Sequence, residues 1–229
     1  MLDLLLSKDE GAKNTEGDQI SEEKEIEVVS FDMDGTLIPK EFADEFWLVK
    51  IPELYSQKTG LSKDTAQERL MKEYDEMGKD DIRWYEPGYW FSKYEFEQKP
   101  RDVLEELRTK YDLYDDAKEV IKRLHQEYKL IIISNGIKMF IEVGLGEYQT
   151  YFTGIYSSVS DFGMSSKTPY LYKEICKEIN VKSNKTIHVG DDKENDYISS
   201  KKAGMKSYFL NRDDKENGLN DLRELLKIL

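Results

Sequence analysis

Two aspartates, Asp32 and Asp34, stand where the apolar run of "EVVSFDMDGT" gives way to a Gly-Thr turn. A carboxylate at the mouth of a buried strand is costly to desolvate unless it is paired or holds a cation, so this placement asks for chemistry. Polar clusters end two further apolar runs: Ser134 and Asn135 follow "LIII", and Asp191 and Asp192 follow "IHVG". Lys167 lies just before the helical pattern "TPYLYKEI" and is placed to join them. Acids, a hydroxyl, an amide and a lysine around one crevice offer hard oxygen ligands. That set suits Mg²⁺, which is held by one or two carboxylates together with water and substrate phosphate.

Such a convergence needs a scaffold, and the pattern from residue 25 onward describes one. "EIEVVSFDM" has strand composition, and "KLIIISNG" at 129–136 is a continuous apolar run of the length expected for a strand buried on both faces. "TIHVGDD" at 186–192 and "KSYFL" at 206–210 supply two more. Helical patterns begin at Asp115, Thr168 and Asn195, with Gly204 placed to end the last. Strands alternating with helices predict an α/β fold, a Rossmann-like parallel sheet with helices on both faces. In such sheets ligands sit outside the carboxyl ends of the strands, where the three polar clusters lie.

Residues 40–114 break the rhythm. They hold no buried-strand run, only amphipathic patterns such as "SKDTAQERLMKEYDEMG" and "PRDVLEELRTKY" and the aromatic block "IRWYEPGYWFSKYEF". A stretch of roughly 75 residues is far beyond an ordinary strand-to-helix loop. It reads as an inserted α-helical cap domain. The expected organisation is a flexible lead-in over 1–24, an α/β core from 25–39 and 115–229, and the cap at 40–114. The opening "LDLLL" is open to two readings, a helical turn docked on the body or an accident of the start site.

The motifs in this order resemble those of the haloacid dehalogenase (HAD) superfamily: "DMDGT", then "SNG", then Lys167, then "GDDKEND". The match spans residues 28 to 212, with the helical cap after the first motif. The resemblance implies a phosphatase in which Asp32 attacks phosphorus to form an aspartyl phosphate that water then hydrolyses. It implies Asp34 as general acid and then base. Ser134, Asn135 and Gly136 of the second motif, together with Thr36, are implied as substrate-binding residues, and Lys167 as the cation offsetting the charge of nucleophile and phosphate. Mg²⁺ is implied as cofactor, with Asp32, the backbone carbonyl of Asp34, and Asp191 as ligands. Asp196 fits the second acid of the fourth motif, holding the metal site, water or lysine in place. Phosphate monoesters hydrolyse extremely slowly unaided, with enzymatic accelerations approaching ~10²¹, and most of that help is electrostatic and positional.

Two departures stand out. The third motif reads "SKTPYLY" where many capped relatives have Lys-Pro-x-Pro, which leaves the pose of Lys167 open. Asp192 replaces a common serine, and it either faces solvent, binds metal through water or tightens the site. Asp34 itself separates phosphoryl chemistry from dehalogenation, since a departing halide needs no proton. An intramolecular phosphotransferase resembling sugar phosphomutases and a catalytically silent HAD-fold binding protein are the alternatives.

In the cap, Arg83, Trp84, Tyr85, Glu86, Trp90 and Lys93 are candidates for reading the leaving group, with Arg83 and Lys93 as substrate-binding cations. Most of the aromatics are expected to pack the cap interior, because a small domain needs large side chains to bury enough area. His188, inside "TIHVG", reads as a core histidine. Asn211 or Arg212 could reach the crevice from the end of the last strand.

The whole chain has 229 residues, 38% of them hydrophobic, enough for one large core or a core with an accessory domain. A net charge of −13 repels nucleic acid and anionic membranes, so neither is an expected partner. The single cysteine, Cys176, excludes an internal disulfide framework and fits a reducing cytoplasm. No apolar stretch approaches the ~20 residues of a membrane span, and no signal peptide is evident. The expected partner is a small phosphorylated metabolite, and a homodimer through the cap or the core is compatible with the sequence.

Overall fold

The computed structural model describes residues 25–213 and 218–229; the expected lead-in over 1–24, with its "LDLLL", lies outside the described residues. Five parallel strands form a single sheet: β1 (Val28–Phe31), β2 (Lys129–Ser134), β3 (Gly154–Ser157), β4 (Thr186–Gly190) and β5 (Lys206–Phe209). Their order across the sheet is β3-β2-β1-β4-β5. β1 is central, with Phe31 in register with Ile132 on one side and Val189 on the other. The carboxyl ends of β1, β2 and β4 therefore finish side by side, which brings the three polar clusters to one edge.

Helices fill the rest: α1 (Glu41–Glu45), α2 (Ile51–Thr59), α3 (Lys63–Met77), α4 (Pro87–Lys93), α5 (Pro100–Arg108), α6 (Asp115–Leu124), α7 (Lys138–Leu145), α8 (Ser158–Phe162), α9 (Pro169–Glu178), α10 (Ser199–Lys202) and α11 (Leu225–Ile228). Alternation along the strands sends side chains to two cores. Val29, Phe31, Leu130 and Ile132 pack with Ala117, Val120 and Ile121 of α6, with α7 and with the helices after β1. Val28, Ile131 and Ile133 pack on the opposite face against Leu171, Tyr172 and Ile175 of α9. The expected doubly covered parallel sheet is thus present.

Between β1 and α6 the chain is helical, as its periodicity predicts. α1 and α2 join through a π-helical turn at Phe46–Lys50, α2 ends on Gly60 at φ +73°, and α3 starts on Ser62, whose hydroxyl accepts from the Thr65 amide. Trp90 is fully buried and its ring lies 4.6 Å from that of Tyr74, edge to face, in the aromatic interior anticipated for this segment. β3 is a strand the sequence pattern did not single out: "GIYS" is four residues long and at the sheet edge, too short for a clear periodic signal. The helical turn expected from Asn195 begins earlier, at Lys193, because Asp192 caps it with hydrogen bonds from the Glu194 and Asn195 amides, both 2.9 Å. That cap is the role the structure gives Asp192. Cys176 is buried on α9.

Candidate active site

Asp32 follows β1 directly, its amide donating to the Val189 carbonyl at 2.9 Å, so the strand ladder itself fixes where the carboxylate starts. Lys167, at the approach to α9, is buried and donates to Asp32 Oδ1 at 2.5 Å and more weakly to the Ile133 carbonyl at 3.4 Å. It also pairs with Asp196, which is fully buried. Thr168 caps α9 and Pro169 occupies its first turn. That cap ends the approach to the helix and holds Lys167 beneath the strand ends despite the shortened motif.

Asp196 is held on every side. His188 Nε2 lies 3.1 Å from its Oδ1, the Tyr172 hydroxyl 3.4 Å from the same atom, and the Asp192 amide donates to Oδ2 at 3.0 Å. Gly190 is required beside it: a Cβ there would stand 2.3 Å from the Asp196 carboxyl. On the other flank, Asp191 accepts from the Thr36 hydroxyl at 3.2 Å and pairs with Lys40 at 2.6 Å. Gly35, at φ +77°, passes so close that a Cβ would meet Asp191 Oδ2 at 2.5 Å. Ser134 closes β2 with its hydroxyl accepting from the Gly136 amide at 3.1 Å, and Asn135 accepts from Ser158 at 3.0 Å. A Cβ on Gly136 would lie 3.5 Å from Asp34 Oδ2, so the second motif and Asp34 face each other.

The electrostatics follow from four acids sharing few cations. Burial alone would lower the Lys167 pKa, but the charges of Asp196 and Asp32 outweigh it and hold the ammonium above the ordinary lysine value. Burial works against Asp196 too, yet Lys167 and His188 keep it ionised and below the usual carboxylate range. Asp32, the other acid on the same lysine, is pushed well up, first by burial and then by Asp196 and Asp191. Asp34 rises to about 6, from burial and then from the charge of Asp191. Asp32, Asp191 and Asp196 each present an oxygen within 4.8 Å of the others, a spacing that could hold a metal ion. Because Asp196 is taken up by protein donors, Asp32 and Asp191 are the carboxylates of that group most open to a cation, and a divalent ion would supply the missing positive charge.

Beside Asp34 a cavity of ≈ 270 Å³ opens between the sheet edge and the inserted helices. Asn135, Gly136, Ile137 and Phe140 line it from the core, and Lys40, Asp44, Trp47, Trp84 and Tyr85 from the insertion. The Tyr85 hydroxyl donates to the Ser165 carbonyl at 3.4 Å, joining the insertion to the segment that carries Lys167.

A family model for haloacid dehalogenase-like hydrolases matches residues 26–204. The chain belongs to that family. Among solved structures similar to it is a HAD phosphatase from Thermococcus onnurineus, 26% identical over 89% of this chain and 97% of that one, with a TM-score of 0.75. The HAD hydrolase YfnB from Bacillus subtilis, whose crystal structure was described bound to magnesium, shares the fold at 22% identity and a TM-score of 0.61, over 90% and 99% of the two chains. The GMP/IMP nucleotidase YrfG of Escherichia coli K12 is 31% identical over 67 residues, which span 29% of this chain and 30% of that protein.

Of the residues singled out in this HAD-family chain, Asp32, Asp34, Ser134, Asn135, Gly136, Lys167, Asp191 and Asp196 come together at one sheet edge. Thr36 comes with them but is fully buried, and its hydroxyl supports Asp191 instead of facing the crevice. Arg83 and Lys93 do not join. Arg83 pairs with Asp81 at 2.5 Å and Lys93 with Glu73 at 2.6 Å, and both line a separate depression on the insertion. Their physical reason for being there is local charge pairing. Lys40 and Asp44 went unnoticed in the sequence; their one signal was a position just past the first motif, where the chain leaves the sheet edge for the insertion. Among the described residues no helix is long and apolar enough to cross a membrane.

Proposed function

We propose that this HAD-family hydrolase is a Mg²⁺-dependent phosphatase that hydrolyses a small phosphorylated metabolite through an aspartyl phosphate on Asp32. The observation that carries this reading is the contact of Lys167 with Asp32 at 2.5 Å beside Asp34, whose carboxyl titrates near 6. An Asp32 oxygen attacks phosphorus and the bond from phosphorus to the leaving oxygen breaks. Asp34, protonated, gives its proton to that oxygen; its elevated pKa suits a group that must donate and then accept near neutrality. In the second half Asp34 removes a proton from water as the water attacks the phosphorus of the aspartyl phosphate, which frees phosphate and restores Asp32. Lys167 orients Asp32 and offsets charge, while Ser134 and the Asn135 amide hold phosphoryl oxygens. Mg²⁺, held by Asp32, Asp191 and the Asp34 carbonyl, would screen the carboxylates from the phosphate dianion.

In this reading residues 40–114 are a cap domain that excludes water and contacts the leaving group. The cavity shared by Asp34 with Trp47, Trp84 and Tyr85 supports it. The similarity to the phosphatase of Thermococcus onnurineus supports the reaction type, and the shorter match to a GMP/IMP nucleotidase adds nucleoside monophosphates to the substrates worth testing. Phosphate release from a panel of phosphorylated metabolites, with and without Mg²⁺, tests the proposal against Asp32→Asn and Asp34→Asn. Release that depends on Mg²⁺ and is lost in both variants is the expected result; release that survives Asp32→Asn would overturn the covalent route.

A further inference from the structure

The cavity beside Asp34 has walls that specify a leaving group, an argument that rests on the phosphatase reading. At ≈ 270 Å³ it is just below the ordinary range of ligand pockets, ~300–1,000 Å³, which leaves room for one ring system. Its aromatic side chains present ring faces in a common direction: Trp47 and Phe140 are 4° from coplanar orientation at 5.9 Å, and Trp47 and Trp84 differ by 29° at 6.2 Å. Trp47, Trp84 and Tyr85 are only half-buried, so part of this aromatic surface is open to the cavity.

Such walls disfavour the commoner leaving groups. A sugar needs hydrogen-bond partners for several hydroxyls, and Trp, Phe and Ile side chains offer almost none. A carboxylate-bearing leaving group needs a cation, and the basic residue of this lining, Lys40, is already paired with Asp191 at 2.6 Å. A flat ring meets neither objection, because it stacks on aromatic faces. One acid remains, Asp44 on α1, with no ion pair or side-chain hydrogen bond among the described residues. An ionised carboxylate only accepts, so it favours a ring edge carrying adjacent N–H groups and disfavours one that presents a lone pair.

We infer that the cavity selects phosphate monoesters whose leaving alcohol carries a flat ring with an N–H edge, the 6-oxopurine nucleoside 5′-monophosphates, stacked on Trp84 and Trp47 with that edge on Asp44. Guanine places two N–H donors side by side, hypoxanthine one, and adenine sets a ring lone pair next to its amine. The order of preference is therefore guanine, hypoxanthine, adenine, with ring-free esters last.

The test compares kcat/KM for GMP, IMP, AMP and glucose 6-phosphate in wild type, Trp84→Ala, Trp84→Phe and Asp44→Asn. Trp84→Ala should lower the ratio of GMP to glucose 6-phosphate roughly 5- to 150-fold, mainly through KM, and Trp84→Phe should keep most of it. Asp44→Asn should lower the ratio of GMP to AMP roughly 5- to 100-fold. Thermal melts identify a variant that fails to fold, in which case Trp84→Phe and Asp44→Asn decide. Wild-type preference for glucose 6-phosphate, or Trp84 and Asp44 variants that leave both ratios unchanged, would overturn the inference. Binding of GMP to Asp32→Asn, followed by tryptophan fluorescence, separates the two claims. Tight GMP binding with no hydrolysis of any ester by wild type would sink the phosphatase reading alone, whereas hydrolysis of other esters with no GMP binding would sink this one.

Discussion

His188 Nε2 lies 3.1 Å from Asp196 Oδ1, and both side chains are fully buried. Burial lowers the His188 pKa, so the ring is neutral near pH 7. Asp196 can only accept, which assigns the proton to Nε2 and leaves Nδ1 to accept from Ser30 Oγ at 2.7 Å. Ser30, His188 and Asp196 thus form a chain that ends on Lys167 and Asp32. His188→Ala should destabilise the protein by about 1–3 kcal/mol and lower kcat more than it raises KM. His188→Gln, which restores an N–H donor, should recover part of kcat. Melts and steady-state kinetics check this; a stability loss with kcat intact would reduce His188 to packing.

Asp34 gives the fold a pH signature in metal-free protein. Its carboxyl ionises near 6 in the fold against a model value of 3.8, so the unfolded chain releases its proton first. Stability is then highest below 3.8 as far as this group is concerned and falls as pH rises from 3.8 to about 6, by at most ~3 kcal/mol. Asp34→Asn should flatten that part of the profile and melt higher than wild type at pH 7. Urea midpoints measured in chelator across this window would contradict the assignment if the two proteins kept parallel curves.

Gly190 leaves no room for a side chain. With the Asp196 carboxyl 2.3 Å from a would-be Cβ, Gly190→Ala should displace that carboxylate, cost about 1–3 kcal/mol and remove most activity. Gly88, which has open space around it, is the control: Gly88→Ala should stay within about 0.5 kcal/mol of wild type. Equal melts and equal activity for both variants would contradict the packing argument.

Arg212 fastens the first motif from behind. Its guanidinium pairs with Asp116 at 2.8 Å, donates to the Gly35 carbonyl at 3.3 Å and the Thr36 carbonyl at 2.8 Å, and stacks 3.9 Å over the Tyr114 ring. Arg212→Ala should cost about 3 kcal/mol by stranding buried Asp116 and loosening the Gly35 turn. Arg212→Lys should fall between, since an ammonium cannot reproduce the planar fork. Chemical denaturation with kcat measured on the same samples reads both effects.

Divalent cation should stabilise the fold directly. Asp32 and Asp191 repel one another in its absence, so Mg²⁺ at about 100 times its Kd should add ~2.7 kcal/mol. Asp191→Asn should raise the metal-free melting temperature and abolish most of the increment. A melting temperature indifferent to Mg²⁺ would argue against a site at Asp32 and Asp191.

Local chemistry made much of this protein legible in its sequence. The runs ending at Phe31, Ser134 and Gly190 are apolar on both faces, so they had to be buried parallel strands, and the acids just beyond them had to meet at one edge. Asp32, Asp34, Lys167, Asp191 and Asp196 followed from that rule. What only the tertiary structure decided depends on partners distant in the chain. Whether Arg83 and Lys93 face the crevice was settled by Asp81 and Glu73, which neutralise them elsewhere. His188 is an ordinary member of an apolar run until Asp196 and Ser30 are brought against its two nitrogens. Lys40, Asp44 and Trp84 acquire a shared cavity only when the inserted helices fold back over β1 and β2. Strand ends announce themselves because desolvating a charge is costly wherever it occurs, whereas the lining of a cavity is fixed by the direction in which each helix face packs, which no single segment encodes.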